Sequence, residues 1–484
     1  MSATGADFSF FWHDYETFGR VPRRDRPAQF AGVRTDADLN EIDAPVMHHC
    51  QPAPDFLPDP EACLLTGILP QTCLELGLPE HAFADIVEQQ LAQPGTVGVG
   101  YNSIRFDDEV TRFLFWRNLI DPYAREWQNQ CGRWDLLDVV RCTYALRPEG
   151  IAWPLHDDGK PSFKLEHLTR ANGLAHAAAH DALSDVRATI ALARLVRARQ
   201  PRLWDFCLRL RKKDQVLKEM SSAQEQGLPF LHVSGMYGTE RGCIAPVWPL
   251  APHPTNKNEV IVWDCTADPA ELFTLGIDAI RQRLFSKAED LPEGVTRLPI
   301  KTIHINKSPV VIGNRKTLSS EMATRWGLDM TQALRHAEMA GRKAKMLAGM
   351  WPAIFERPAA DHATDVDEAL YSAFVGNEDR RTLQGLRALS PQELATRRPS
   401  FADPRLGELL LRYRARNFPA TLSAAEQMQW DEHRAHRLHG GAAGGLSLQA
   451  YLEQIDTLGE TADEREQDIL GALVDYATQI APTR

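Results

Sequence analysis

The sequence predicts an α/β domain with a mixed sheet flanked by helices, then a small β-containing domain and an all-helical C-terminal domain. Three observations indicate this fold class. Strand-like and helix-like apolar patterns alternate first, short alternating stretches separated by Pro, Gly and Asn follow, and a series of amphipathic segments comes last. A chain of 484 residues has room for about three domains. The predicted limits are 1–200, 201–353 and 354–484.

The composition is that of a soluble globular protein, with 43% apolar and 25% charged residues. The N-terminus lacks the pattern of a signal peptide, and no uncharged run is long enough to span a bilayer, so we expect a cytoplasmic protein that does not bind membranes. The eight cysteines are scattered without a C-x-x-C motif. This spacing indicates neither a zinc site nor a disulfide framework, and we expect reduced, mostly buried thiols.

The net charge of −11 argues against a protein that coats nucleic acid by bulk electrostatics. It still allows a local basic channel. Between Arg199 and Lys218, seven basic residues stand against two acidic ones. Such a cluster is typical of a polyanion-binding surface or, equally, of a solvated helix face.

The first predicted strand, 10–19, is an aromatic-rich run that carries two carboxylates, Asp14 and Glu16. Their i, i+2 spacing puts both side chains on one face of a strand. The two acids repel each other there unless a cation lies between them. The alternative is that one acid pairs with a Lys or Arg and the other is solvated.

Two more acids follow at predicted helix starts. Asp107 begins a helix directly after an apolar strand, where it either caps the helix or joins a site. His180 begins a long amphipathic helix, and Asp185 lies a little over one turn farther on, so both can reach one site. Further strands are predicted at 28–36, 45–51 and 96–101, and helices at 79–92, 134–146 and from 162.

The remaining elements support the second and third domains. A basic helix is predicted at 201–218. In 412–416, arginines surround a tyrosine, a pattern that suits a strand of nucleotides or, equally, arginine stems that cover a core. The second domain has predicted strands at 229–238, 243–250, 259–264, 297–305 and 310–312, and the third has helices at 366–374, 382–389, 391–396, 405–416, 424–438, 446–458 and 463–480.

The chain resembles the bacterial exonuclease I family, in the His-containing branch of the DEDD exonuclease superfamily. Asp14-X-Glu16, then Asp107, then a histidine five residues before Asp185 is the pattern of that branch. The tyrosine-containing branch has its tyrosine four residues before the last Asp, and that position is Asp181 here. The longer motifs that carry the resemblance are HDYETFG from His13, DRPAQF from Asp25, GYN from Gly100, RFDDEV from Arg105, ALRPEG from Ala145, HVSGM from His232 and NFP from Asn417.

The resemblance implies a ribonuclease H-like nuclease domain, an SH3-like second domain and a 3′→5′ exonuclease that degrades single-stranded DNA to 5′-mononucleotides in DNA repair or recombination. It implies two Mg²⁺ ions, with Mn²⁺ as a substitute, held by Asp14, Glu16, Asp107 and Asp185. His180 would be the general base. The residue types suit these roles, because carboxylates bind hard cations and an imidazole titrates near neutral pH.

The same resemblance implies a partner, the acidic, Phe-terminated C-terminal tail of single-stranded DNA-binding protein. Arg147 is the candidate for its carboxylates. Glu16, Asn102 and Arg414 are further candidates for contacts with DNA or partner. We expect a monomer, and the second and third domains could close a basic cleft over the strand and make the enzyme processive.

Two alternatives stay open from the residues. The first is a related exoribonuclease or proofreading nuclease, which would share the site but does not account for the added domains. The second is a binding module for single-stranded DNA or repair partners without catalysis. The intact set of five site residues argues against that module.

Overall fold

The computed structural model describes residues 8–175, 181–356, 365–441 and 444–482. It divides the chain into two compact units. The first unit contains most of the N-terminal part and the C-terminal part, and the second contains the rest of the N-terminal part together with the middle of the chain. The unit limits are Met1–Gly132, His176–Arg187 and Ala360–Arg484 for the first, and Arg133–Ala175 and Ala188–Ala359 for the second.

The sheet of the first unit is built around β1, Ser9–Thr17. This strand pairs antiparallel with β2, Pro27–Thr35, and parallel with β4, Thr96–Gly100. The strand β3, Val46–His49, pairs with β2 on the far side, which gives the order β3-β2-β1-β4 for the strands that lie wholly in this unit. The sheet is therefore mixed, as predicted, and its first strand lies in the interior.

One face of β1 packs into an aromatic core. Phe11 and Tyr15 contact Phe30 of β2, and Phe83 and Leu114 from two helices complete this cluster. Because successive side chains of a strand point to opposite faces, Asp14 and Glu16 leave from the other face. The aromatic residues thus hold the strand, and the carboxylates are presented at its end.

The helices before residue 200 follow the predicted order, with two additions. The short helices α1 and α2 were missed, because each has seven residues, too few to show a helical period. Proline at their first turn and glycine after their last are the signals that remained. The helices are α1 Pro60–Thr66, α2 Pro70–Leu76, α3 Glu80–Leu91, α4 Asp107–Arg117, α5 Leu136–Leu146, α6 Leu165–Ala171 and α7 Ala182–Arg199, and the strand β5 is Gly132–Asp135.

The second unit contains an antiparallel sheet with the strand order β10-β6-β7-β8-β9. The predicted strands of the second domain all occur here. Its core contains Trp263 from the sheet and Ala337 and Trp351 from helices. The strands are β6 Phe230–Val233, β7 Ile244–Pro252, β8 Glu259–Asp264, β9 Ile300–His304 and β10 Val310–Ile312.

The prediction of one continuous basic helix at 201–218 is wrong, because the structure has two helices there. The helical segment is interrupted before Lys213, because Lys212 adopts an extended conformation with φ −94° and ψ 122°. The helices of this unit are α8 Pro201–Arg209, α9 Lys213–Gln224, α10 Ile277–Phe285, α11 Ser320–Arg325, α12 Met330–Lys343 and α13 Trp351–Ile354.

The C-terminal part is helical, as predicted, and packs on the N-terminal part of the same unit. The indole N–H of Trp116, in α4, donates to the Val366 carbonyl at 2.8 Å. A buried ion-pair network joins the two parts as well: Arg416 contacts both Asp55 and Asp367. After a 3₁₀ turn at Val366–Tyr371, the helices are α14 Asn377–Arg387, α15 Pro391–Thr396, α16 Arg405–Asn417, α17 Ala424–Gly440, α18 Leu448–Gly459 and α19 Glu464–Ile480.

All eight cysteines fall within the described residues, and each is buried as a free thiol, in agreement with the sequence-based expectation. Within the described ranges, no helix combines the length and the apolar character needed to cross a bilayer.

Candidate active site

Three carboxylates from two elements meet at the end of β1. Asp14 and Glu16 leave the same face of the strand, and Asp185 comes from the first turn of α7. Oxygen atoms of the three side chains lie within 4.8 Å of one another. The structure therefore brings together three of the four predicted ligands.

The cluster is electrostatically costly without a cation. Burial, reinforced by the charges of Asp185 and Asp181, raises the pKa of Glu16 to about 8. Burial and the neighbouring Asp107, Glu16 and Asp185 raise the pKa of Asp14 well above its ordinary value. Oxygen donors crowded in this way fit a hard divalent cation, whose charge relieves the repulsion.

Asp107 lies beside this group. It is 3% exposed in the first turn of α4, and one of its oxygens accepts the backbone N–H of Tyr15 at 3.1 Å. Its charge is the largest carboxylate contribution to the raised pKa of Asp14. Among the described residues, it is outside the set whose oxygens all lie within 4.8 Å. The hydrogen bond to β1 nevertheless orients its carboxylate next to Asp14.

The two acids after Asp107 belong to ion pairs rather than to the cluster. Asp108 is buried and pairs with Arg125 at 2.5 Å. Glu109 pairs with Arg112 at 2.7 Å. The role that the structure shows for these two residues is to form ion pairs.

His180 lies outside the described residues. The described start of α7 is nevertheless well anchored. The Asp181 carboxylate accepts the N–H of Ser184 at 2.9 Å, and the side-chain oxygen of Gln29 accepts the N–H of Ala182 at 3.2 Å. Sequence reasoning gave Gln29 no role of its own. The signal was its place in β2, opposite Glu16, but the register was not available from the sequence.

The remaining candidates differ in their surroundings. Asn102 has φ 66° in the turn before α4, and its carbonyl accepts the N–H of Arg105. Arg147 donates to the carbonyls of Leu146 and Thr317, and it lines a cavity of about 460 Å³ in the second unit.

Arg414 is buried in the C-terminal part. It is 4% exposed, pairs with Glu426 at 2.6 Å and donates to the Thr421 carbonyl. The side chains of Arg412 and Arg416 are buried in ion pairs as well. These contacts favour the alternative, arginines that hold a core together, and a contact of this segment with nucleotides stays a prediction.

Comparison with known proteins agrees with this architecture. Family models match along the chain: an exonuclease model at residues 11–193, the exonuclease I SH3-like domain at 211–357 and the exonuclease I C-terminal domain at 364–480. Exodeoxyribonuclease I of Escherichia coli K12 is 44% identical over 474 residues, which cover 98% of each chain.

Solved structures give the same result. The chain matches a moderately thermophilic exonuclease I from Methylocaldum szegediense with a TM-score of 0.92 at 47% identity, over 98% of this chain and 99% of that one. It matches E. coli exonuclease I in complex with a dA16 oligonucleotide with a TM-score of 0.92 at 42% identity, over 98% and 100%. The predicted fold class, with its SH3-like and helical C-terminal parts, is confirmed, and the chain belongs to the exodeoxyribonuclease I family.

Proposed function

We propose that this chain is a 3′→5′ exodeoxyribonuclease that releases 5′-mononucleotides from single-stranded DNA with two Mg²⁺ ions, for which Mn²⁺ can substitute. The observation that carries the proposal is the cluster of Asp14, Glu16 and Asp185, with oxygens within 4.8 Å of one another. Membership of the family and the match to an E. coli relative solved with a DNA oligonucleotide support the substrate class.

In this proposal, Asp14, Glu16 and Asp185 hold the cations, and Asp107 completes the ligand set beside Asp14. The bound cations would lower the pKa of the attacking water and stabilise the attacking and leaving oxygens. The Tyr15 N–H holds one oxygen of the Asp107 carboxylate at β1, next to Asp14, which limits the reorientation that this ligand needs on binding. The role of His180 as the general base rests on the resemblance.

The proposal is tested with oligonucleotides labelled at the 3′ or the 5′ end. We expect single-stranded DNA to lose 5′-mononucleotides from its 3′ end, with duplex DNA and RNA cut far more slowly. Asp14→Asn should abolish hydrolysis and retain DNA binding, whereas Asp38→Asn, at an exposed turn position, should behave like wild type. Faster RNA cleavage would favour the exoribonuclease, and unchanged hydrolysis by Asp14→Asn would refute the site.

We also propose that the cavity beside Arg147 binds the acidic, Phe-terminated tail of single-stranded DNA-binding protein. Its lining combines apolar side chains with arginines: Leu146, Phe206, Ile312, Arg147, Arg202 and Arg209. Such a lining suits a terminal phenylalanine next to carboxylates. A solved structure of single-stranded DNA-binding protein with exonuclease I and an inhibitor, matched at 43% identity and a TM-score of 0.89, supports this partner.

Fluorescence titration with the tail peptide tests this second proposal. We expect Arg147→Ala to weaken binding by about tenfold or more, as removal of an interface anchor does. Arg170→Ala is the matched control, because Arg170 is an exposed arginine outside the cavity lining. Equal affinities for both variants would refute a role for Arg147. The domain limits 1–200, 201–353 and 354–484, the monomeric state and the processive cleft stay predictions.

A further inference from the structure

A row of polar side chains crosses three neighbouring strands and ends at the carboxylate cluster. Glu16 of β1 is the direct partner of Gln29 in β2, and Gln29 is the direct partner of His49 in β3. Directly paired residues of adjacent strands present their side chains on the same face, with Cβ atoms about 5 Å apart. Gln29 is therefore the immediate neighbour of a proposed metal ligand.

The amide of Gln29 is buried, and both its oxygen and its nitrogen contact neighbouring residues. The side chain is 5% exposed. Its oxygen accepts the N–H of Ala182 at 3.2 Å, and its nitrogen lies 3.4 Å from Nε2 of His49. Since only the amide oxygen can accept, the contact with Ala182 sets the orientation of the amide and leaves its nitrogen to donate to His49. Burial lowers the pKa of His49, which favours the neutral ring, the form that can accept.

The contact with Ala182 matters because of where it lies on α7. The first N–H groups of a helix have no partner within the helix, and Gln29 supplies one from the sheet. Ala182 is the first residue of α7, and Asp185 follows three residues later, in the same turn. A displacement of this turn therefore moves the Asp185 carboxylate relative to Asp14 and Glu16.

We propose that Gln29 is a positioning residue that ties the first turn of α7 to β2 and so sets the distance from Asp185 to Asp14 and Glu16. The inference rests on the proposed function of these carboxylates as a metal site. Mg²⁺ and similar ions demand closely defined ligand distances, so a loosened turn should weaken cation binding. Gln29 would act through the helix and would not touch the ion.

Mn²⁺ titration of the DNA-free full-length protein, followed by electron paramagnetic resonance, tests the inference. Gln29→Met keeps the length of the side chain and removes the acceptor. We expect its Kd for Mn²⁺ to rise about tenfold, the lower end of what loss of an outer-shell partner costs. The Ala182 amide should also exchange its hydrogen faster. Gln71→Met is the matched control, because Gln71 also bonds a helix, donating to the Ala472 carbonyl at 2.6 Å; its Kd should be unchanged.

Gln29→Glu is the second variant, because it keeps an oxygen that can accept the Ala182 N–H. We expect it to bind Mn²⁺ at least as tightly as wild type. If Gln29→Met does not fold, Gln29→Asn, one methylene shorter, should show the same loss. The inference is overturned if Gln29→Met binds Mn²⁺ with the wild-type Kd, or if Gln29→Glu binds it as weakly as Gln29→Met. Either result would leave the proposed metal site itself intact. Failure of the wild type to bind Mn²⁺ instead overturns the proposed metal site, and the inference with it.

Discussion

Replacing Glu16 with glutamine should make the metal-free protein more stable while it destroys the site. Burial and the neighbouring acids raise the pKa of Glu16 from 4.5 to about 8. An acid whose pKa is higher in the folded state reduces folding stability at a pH where it would ionise in the unfolded chain. The reduction is absent below pH 4.5, and it grows as the pH rises to 8. This reduction grows by about 1.4 kcal/mol for each pH unit above 4.5, so at pH 7 the free energy of unfolding is lower by roughly 3 kcal/mol.

Glu16→Gln removes the titrating group and keeps the shape of the side chain. In EDTA at pH 7, we expect its free energy of unfolding to exceed that of wild type by up to roughly 3 kcal/mol, and the gain should shrink to near zero by pH 4.5. Urea denaturation at both pH values measures it. Added Mg²⁺ should stabilise the wild type more than the variant, because only the wild type retains the full ligand set.

Glu432→Gln serves as the control, since Glu432 is an exposed glutamate of α17 and should show no gain at either pH. The reasoning is refuted if Glu16→Gln is less stable than wild type in EDTA at pH 7. It is also refuted if the gain is as large at pH 4.5 as at pH 7, because the effect would then not come from ionisation.

Three other outcomes are expected. Burial lowers the pKa of His13 to about 4, so acid should destabilise the fold between pH 6.5 and 4, and His13→Phe should reduce this loss in acid-unfolding curves. Arg416→Met leaves Asp55 and Asp367 buried with a partner missing, and urea denaturation should show a loss of about 3–5 kcal/mol. Log affinity for single-stranded DNA should fall steeply with log salt concentration, and a flat plot would contradict the basic cleft.

The sequence predicted those features that local pattern determines. Strand periodicity was enough to put Asp14 and Glu16 on one face, and short alternating stretches gave the strands of the second unit. Contacts between residues that are far apart in the sequence could not be predicted in this way. Arg416 pairs with Asp55, 361 positions away, so a run of arginines around a tyrosine was equally compatible with nucleotide binding. Gln29 accepts a hydrogen bond from Ala182, which is 153 positions away, so the sequence could not predict this contact either.

The buried ion pairs between the nuclease part and the C-terminal helices have a consequence for how this enzyme can be divided. Asp55 is completely buried, and its partners Arg416 and His433 both come from the C-terminal part. A fragment that ended before residue 365 would lose both of these partners, and it would uncover Phe18 and Phe56, which share an apolar cluster with Tyr451 and Leu473 of the C-terminal helices. The C-terminal helices are therefore part of the folding of the nuclease itself, and a transplantable, free-standing nuclease module would need new residues at these positions.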